Sequence, residues 1–179
     1  MSASQITRQA IVSGTKQLAS EKPFQKISVI EISRHCGINR NTFYYYFTDK
    51  YDVIRYIFQQ DLIPVLEAGE NRNNLAGSVA SLCARMEKES RFYSSILEDS
   101  DSRSLQALLV SYFKQLLISI ASSHFETFKV EGRDQEIAAR FYAHGTVGMI
   151  CDWAAGDMKM DSQFATSLIQ LSAREKFFV

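Results

Sequence analysis

The hydrogen-bonding chemistry of this 179-residue sequence gathers in one short run, Arg40-Asn41-Thr42-Phe43-Tyr44-Tyr45-Tyr46-Phe47. Read as a helix, it puts Phe43 and Phe47, four residues apart, on one face, where they bury against Ile11, Val29 and Ile32. Asn41, Thr42, Tyr44 and Tyr45 then lie away from that core. A guanidinium, an amide, a hydroxyl and phenols on an outward face are not a bond-making set. They are suited to hydrogen bonds with phosphates and to contacts with base edges. Arg40 has the fork that matches the two acceptors of a guanine. Lys50 lies three residues past Phe47 in the first turn of the next helix, where a cation opposes the helix dipole. That placement is expected if the lysine meets a phosphate.

Bond-making chemistry finds no comparable set. The histidines are His35, His124 and His144, and none has a partner at the spacing of a metal site. HExxH, GxSxG, GxGxxG and P-loop patterns are absent. Asp99 and Asp101 fall in a charged turn and read as solvated or capping. No enzyme, metal or cofactor is expected. Cys36, Cys83 and Cys151 are odd in number, far apart and without a CxxC pair, so they read as buried thiols of a reduced cytoplasm.

The elements that must position the run are legible from both sides. Residues 4–20 form a helix with Ile11 and Leu18 on a narrow apolar stripe and Gly14-Thr15 for close packing; Pro23 ends the segment. Phe24 and Ile27 plug the bottom of a small core. Ser28-Val29-Ile30-Glu31 has the pattern of a capping box. Gly37 suits the left-handed position past a helix end, and Asn39 caps the next helix. Two short helices, about 28–36 and 39–47, are thus joined by a tight turn, the geometry of a helix-turn-helix. Thr48 is expected to cap a fourth helix that continues to Leu66, with Pro64 kinking or ending it.

On these residues the stretch from Arg8 through Ile54 resembles the DNA-binding domain of the TetR family of bacterial regulators. The resemblance is carried by Ile11, Leu18, Phe24, Val29-x-x-Ile32, Cys36-Gly37-Ile38-Asn39-Arg40, Thr42-Phe43-Tyr44-x-x-Phe47 and Asp49-Lys50. Gly14-Thr15 stands where many relatives have two alanines, and Asn39 where many have serine. The resemblance implies that the second short helix enters the major groove and that Lys50 touches the backbone. The expected DNA-contacting set is Ser28, Arg40, Asn41, Thr42, Tyr44, Tyr45, Tyr46 and Lys50.

The remaining chain reads as helical at 75–86, 91–97, 105–128, 135–155 and 162–173, with no period-two run that demands a strand. The expected fold is all-α. An N-terminal helix-turn-helix domain over 1–50 precedes a helical regulatory and dimerisation domain over 51–179. The resemblance implies a homodimer closed by the last two helices, where Gly145 and Gly148 permit close approach. The run ending Cys151-Asp152-Trp153, with Gly156 soon after, resembles a subgroup that includes an activator of dihydroxyacetone-kinase genes. Met86, Tyr93, Tyr112, Phe113 and His144 are candidates to line an effector pocket. The other reading of the first four is plain core, and of His144 a satisfied interface histidine.

Net charge is zero, but its distribution is not even. Residues 1–60 hold eight basic and four acidic side chains, a balance of +4, so the remainder is −4. A basic head on an acidic body fits a protein that meets phosphates at one end. No apolar run reaches the roughly 18 residues of a membrane span, and the polar start does not read as a signal peptide. The expected protein is a cytoplasmic, ligand-responsive repressor on operator DNA. Two alternatives stand beside it: an activator or adaptor working through a protein coregulator, and a protein-interaction module for which DNA is a scaffold.

Overall fold

The computed structural model describes residues 2–68, 75–98, 103–123 and 133–156. All regular structure among them is helical. Helix α1 (Ala3–Glu21) opens on a capping box: Ser2 Oγ accepts from the Gln5 amide, and the Ser2 amide donates to Gln5 Oε1. It buries Ile11, Val12, Gly14, Thr15, Leu18 and Ala19. Pro23 then leads into a 3-10 turn, Phe24–Lys26, whose Phe24 is fully buried.

The expected helix pair appears as α2 (Val29–His35) and α3 (Arg40–Tyr46). Between them Gly37 takes a φ of +66°, which only glycine adopts without strain. Its amide donates to the Arg34 carbonyl at 3.1 Å, and the Ile38 amide to the Ser33 carbonyl at 2.9 Å. These two bonds make a Schellman motif and stop α2. α1 and α2 pack closely because Gly14 has no side chain. A Cβ there would sit 2.6 Å from Cys36 Sγ and 3.1 Å from the His35 ring.

Two expected caps are built differently. Ser28 Oγ accepts from the Glu31 amide at 3.2 Å, but the Glu31 carboxylate pairs with Lys22 rather than closing the box. The Lys22 hydrogen bond holds the Glu31 carboxyl below its ordinary range. Helix α4 (Lys50–Asp61) is capped by Asp49, not by Thr48. Asp49 Oδ1 accepts from the Asp52 amide at 2.7 Å, and Asp52 Oδ2 takes the Thr48 amide at 3.0 Å. Carboxylates displace the hydroxyl because an anion at a helix N-terminus also meets the positive end of its dipole. α4 ends at Asp61 rather than running to Leu66. The short α5 (Ile63–Leu66) follows, with Pro64 in its first turn, where a missing amide proton costs nothing.

The body comprises α6 (Leu75–Glu87), α7 (Ser90–Leu97), α8 (Arg103–Ser123) and α9 (Arg133–Ala155). The expected helix at 162–173 lies outside the described residues. α8 and α9 pack along each other, α6 touches α5, α7 and α8, and α7 lies against both α1 and α9. One core runs through head and body, from Ile11, Phe24 and Phe43 to Tyr93, Phe113 and Ile150.

Head and body also meet through a charged cluster. Lys16 of α1 pairs with Asp61 at the end of α4 and, at 2.7 Å, with Glu89 between α6 and α7. Arg85 of α6 bonds Asp61 at 3.0 Å and Glu89 at 3.1 Å. The Tyr93 hydroxyl donates to Asp61 at 3.3 Å. Burial, then the Asp61 charge, pushes that phenol well above its ordinary range, so it stays a donor. Deleting the shared acceptor leaves the half-buried Lys16 and Arg85 and the fully buried Tyr93 without it. Breaking a fully buried pair costs more than breaking an exposed one, and this cluster is about one-fifth exposed. Asp61→Ala is therefore expected to destabilise the chain by about 2 kcal/mol in urea unfolding. An unchanged midpoint would show that the cluster does not tie the two parts together.

Candidate nucleic-acid interface

α3 is seated by its apolar side and offers the other. Phe43 is fully buried and Phe47 nearly so, packed with Ile11 and Ile32 in the same core. Asn39 Oδ1 caps the helix, accepting from the Thr42 amide at 2.8 Å and from the Thr42 hydroxyl at 3.1 Å. The Thr42 proton is thus spent on the cap, and its hydroxyl oxygen is left to accept.

Tyr45 is 81% exposed and Tyr44 43%, so both rings face away from the core. Arg40 and Tyr44 act as a unit. Arg40 Nη2 donates to the Tyr44 hydroxyl at 3.1 Å, and the guanidinium lies over that ring, 5.2 Å from its centroid. Asn41 and Ser28 are exposed. Tyr46 is half-buried, with its ring edge-on to Tyr45. Arg40, Asn41, Tyr44 and Tyr45 are thus the exposed residues of α3, and Ser28 is the exposed cap of α2.

The sequence reading missed Arg8. Its guanidinium lies 5.8 Å from the Tyr46 ring centroid and 5.6 Å from that of Tyr56, which places a cation beside the end of α3. In the sequence its signal was a single base one turn ahead of Ile11.

Lys50, expected to touch the DNA backbone, has partners within the fold. Its ammonium turns back onto the 3-10 turn and donates to the carbonyls of Phe24 at 2.9 Å, Gln25 at 3.0 Å and Ile27 at 3.0 Å. It also stands 4.7 Å from the Phe24 ring centroid and 5.2 Å from that of Tyr51. An ammonium has three protons, and three carbonyls take them. Reaching a phosphate would mean giving up at least one of these bonds. Lys50 is here a clasp between the turn and the start of α4.

The candidate pocket residues divide. Met86, Tyr93 and Phe113 are fully buried, and Tyr112 is half-buried edge-on to Phe113. His144 stands on the exposed side of α9, about 100° around the helix from buried Ala143. Burial raises all three thiols above their ordinary range, Cys83 to about 12. They are protonated near neutral pH, as packing groups are. Among the described residues no cluster of side chains could hold a metal ion, and no helix is long and apolar enough to cross a membrane.

The clasp has a measurable consequence. Lys50→Met keeps most of the stem and removes the charge, leaving three carbonyls without their donor. Hydrogen bonds to charged groups contribute about 1.5–3 kcal/mol. The variant is expected to lose about 2 kcal/mol of unfolding free energy. A melting temperature equal to the parent's would show that the ammonium is not committed to the turn.

Comparison with known proteins agrees with this geometry. Residues 11–57 match bacterial regulatory proteins of the tetR family, and residues 73–174 match a transcriptional regulator C-terminal region. Comparison with curated proteins finds no match. Among solved structures the chain is similar to NalD, the secondary repressor of the MexAB-OprM multidrug efflux pump in Pseudomonas aeruginosa. That likeness has a TM-score of 0.71 at 20% identity and covers 96% of this chain and 97% of NalD. Similarity to the dihydroxyacetone kinase operon activator DhaS has a TM-score of 0.64 at 19% identity, over 93% of this chain and 96% of that one. A tetR-family transcriptional regulator from Streptomyces coelicolor gives 0.55 at 18% identity, over 92% and 81%. At such identities the likeness shows the fold. The C-terminal match spans more than half of the chain, and the N-terminal match brackets the helix-turn-helix. The chain belongs to the TetR family of transcriptional regulators and is a DNA-binding regulator of that type.

Proposed function

We propose that this regulator is a ligand-responsive repressor that binds operator DNA as a homodimer. Its reading face is Arg40, Asn41, Thr42, Tyr44, Tyr45 and Tyr46, with Ser28 and Arg8 beside it. The observation that carries the proposal is the seating of α3: two phenylalanines hold it, while Arg40, Asn41, Tyr44 and Tyr45 stay exposed. Side chains of those types are the ones that reach base edges in a major groove. Lys50 clasps the 3-10 turn to the start of α4.

The homodimer is supported by α9. Ile137 is 57% exposed and Phe141, one turn on, 73%. A Cβ at Gly145 or Gly148 would meet nothing within 4 Å in the single chain. Apolar side chains next to glycines with open space above them make a surface that a second helix can approach closely. A small-molecule effector is supported by the apolar and aromatic character of the body's interior, where Met86, Tyr93 and Phe113 are buried and Tyr112 packs edge-on to Phe113.

Selection of bound duplexes from a random pool, followed by a ligand screen for release, tests the whole reading. With the selected operator, Tyr45→Ala should leave the fold intact and lose about 1–3 kcal/mol of discrimination in gel-shift titrations. Binding equal to the parent's would move the reading face elsewhere. Phe141→Glu should turn a dimer into a monomer in light scattering at micromolar concentration. A parent that is itself monomeric, or a variant that still dimerises, would contradict the α9 interface. A reporter gene driven by the operator gives the sign of regulation, and a rise in expression on adding the regulator would replace repressor with activator.

A further inference from the structure

We infer that Ser94 and Ser95 of α7 are positioning residues that fix the reading head on the body and thereby set the half-site spacing the regulator accepts. The inference rests on the two-copy reading above and concerns residues outside the reading face.

The geometry lies in two adjacent hydroxyls that serve different parts of the molecule. Ser94 Oγ lies 3.1 Å from the Ala154 carbonyl of α9 and 3.2 Å from Glu98 Oε1, and its one proton is shared between them. Ala154 sits in the last turn of α9, where carbonyls lack a partner in their own helix. Ser95 Oγ accepts from the Phe24 amide at 3.0 Å and donates to the Lys22 carbonyl at 3.3 Å. These groups flank Pro23, between α1 and the 3-10 turn, and belong to no helical ladder. Neighbouring residues on a helix are about 100° apart, so one residue can face the body and the next the head.

The turn that Ser95 grips is also the turn that Lys50 clasps. The Phe24 carbonyl accepts from Lys50 while the Phe24 amide donates to Ser95. An unbroken line of contacts thus runs from the end of α9 through α7 and the turn to the first residue of α4, three positions after Phe47 closes α3. α9 carries the surface proposed for the second copy. The line therefore ties the dimer face to the reading helix. In a two-fold dimer the separation of the two reading helices depends on how each head sits on its body, and operator half-sites lie about one helical turn apart. A firmly held head accepts one spacing, and a loosened head accepts its neighbours too. Packing of α7 against α1 keeps the head attached in either case; the serines remove its remaining freedom.

The test uses the full-length chain and a duplex library in which the selected half-site is paired at every spacing around the optimum. The parent should prefer one spacing sharply. Ser95→Ala should recognise the same half-site bases, but its preference over spacings one base pair longer or shorter should fall about fivefold, the scale of one lost neutral hydrogen bond. Ser94→Ala should act in the same direction. Ser95→Thr, which keeps the hydroxyl, should restore the sharp preference, separating the strut from a general loss of stability. A Ser95→Ala protein as selective for spacing as the parent would overturn the inference. So would equal weakening at all spacings, or a parent indifferent to spacing. A parent that selects single, unpaired half-sites would overturn the two-copy reading itself, and the strut with it.

Discussion

The seating of a seven-residue helix by two phenylalanines is the constraint on which the rest depends. A helix as short as α3 does not hold itself together in water, because nucleation costs more than so few hydrogen bonds return. Phe43 and Phe47 supply the missing free energy by burial, and the Asn39 cap and the Gly37 turn fix where the helix begins. Once one side is held in this way, the other need not contribute to folding. That is the condition under which Tyr45 can remain almost wholly in water. The short α2–α3 turn, the close approach at Gly14 and the Ser28 cap all hold the core that receives those two rings.

Electrostatics takes a different form from the one charge counting implies. The +4 balance of residues 1–60 invites a picture of cations ready for phosphates. Several are instead used inside the fold. Lys16 is in the junction cluster, Lys22 is paired with Glu31, Arg55 with Asp52, and Lys50 is on three carbonyls. Arg40 and Arg8, on the side of α3 proposed to read DNA, each lie against an aromatic ring. A guanidinium stacked on a ring retains donors at its edge, so a preorganised arginine still meets an anion or a base.

What the sequence made legible was local. The α2 and α3 helices, Gly37 in the left-handed region, the Asn39 cap and the burial of Phe43 and Phe47 follow from residue type and spacing within a few positions. Contacts across long sequence separations were not legible. Nothing near Lys50 announces that its partners lie more than twenty residues back, and nothing near Ser95 announces the Lys22–Phe24 segment. Thr48 looked like a cap because hydroxyls often are, but the carboxylates beside it bind amides more strongly. His144 stands on an apolar helix, the mark of a pocket residue, yet the helix turns it outward. Arg8 was overlooked because its neighbours Tyr46 and Tyr56 are brought to it only by the fold.

The central claim is that DNA is read by the outward side of α3. Amide chemical-shift mapping during titration with the selected duplex tests it most directly, because every backbone position reports at once. The account predicts that the largest changes cluster at residues 40–46, with smaller ones at Ser28 and Arg8, and that α8 barely responds. Large changes elsewhere with α3 unmoved would contradict it.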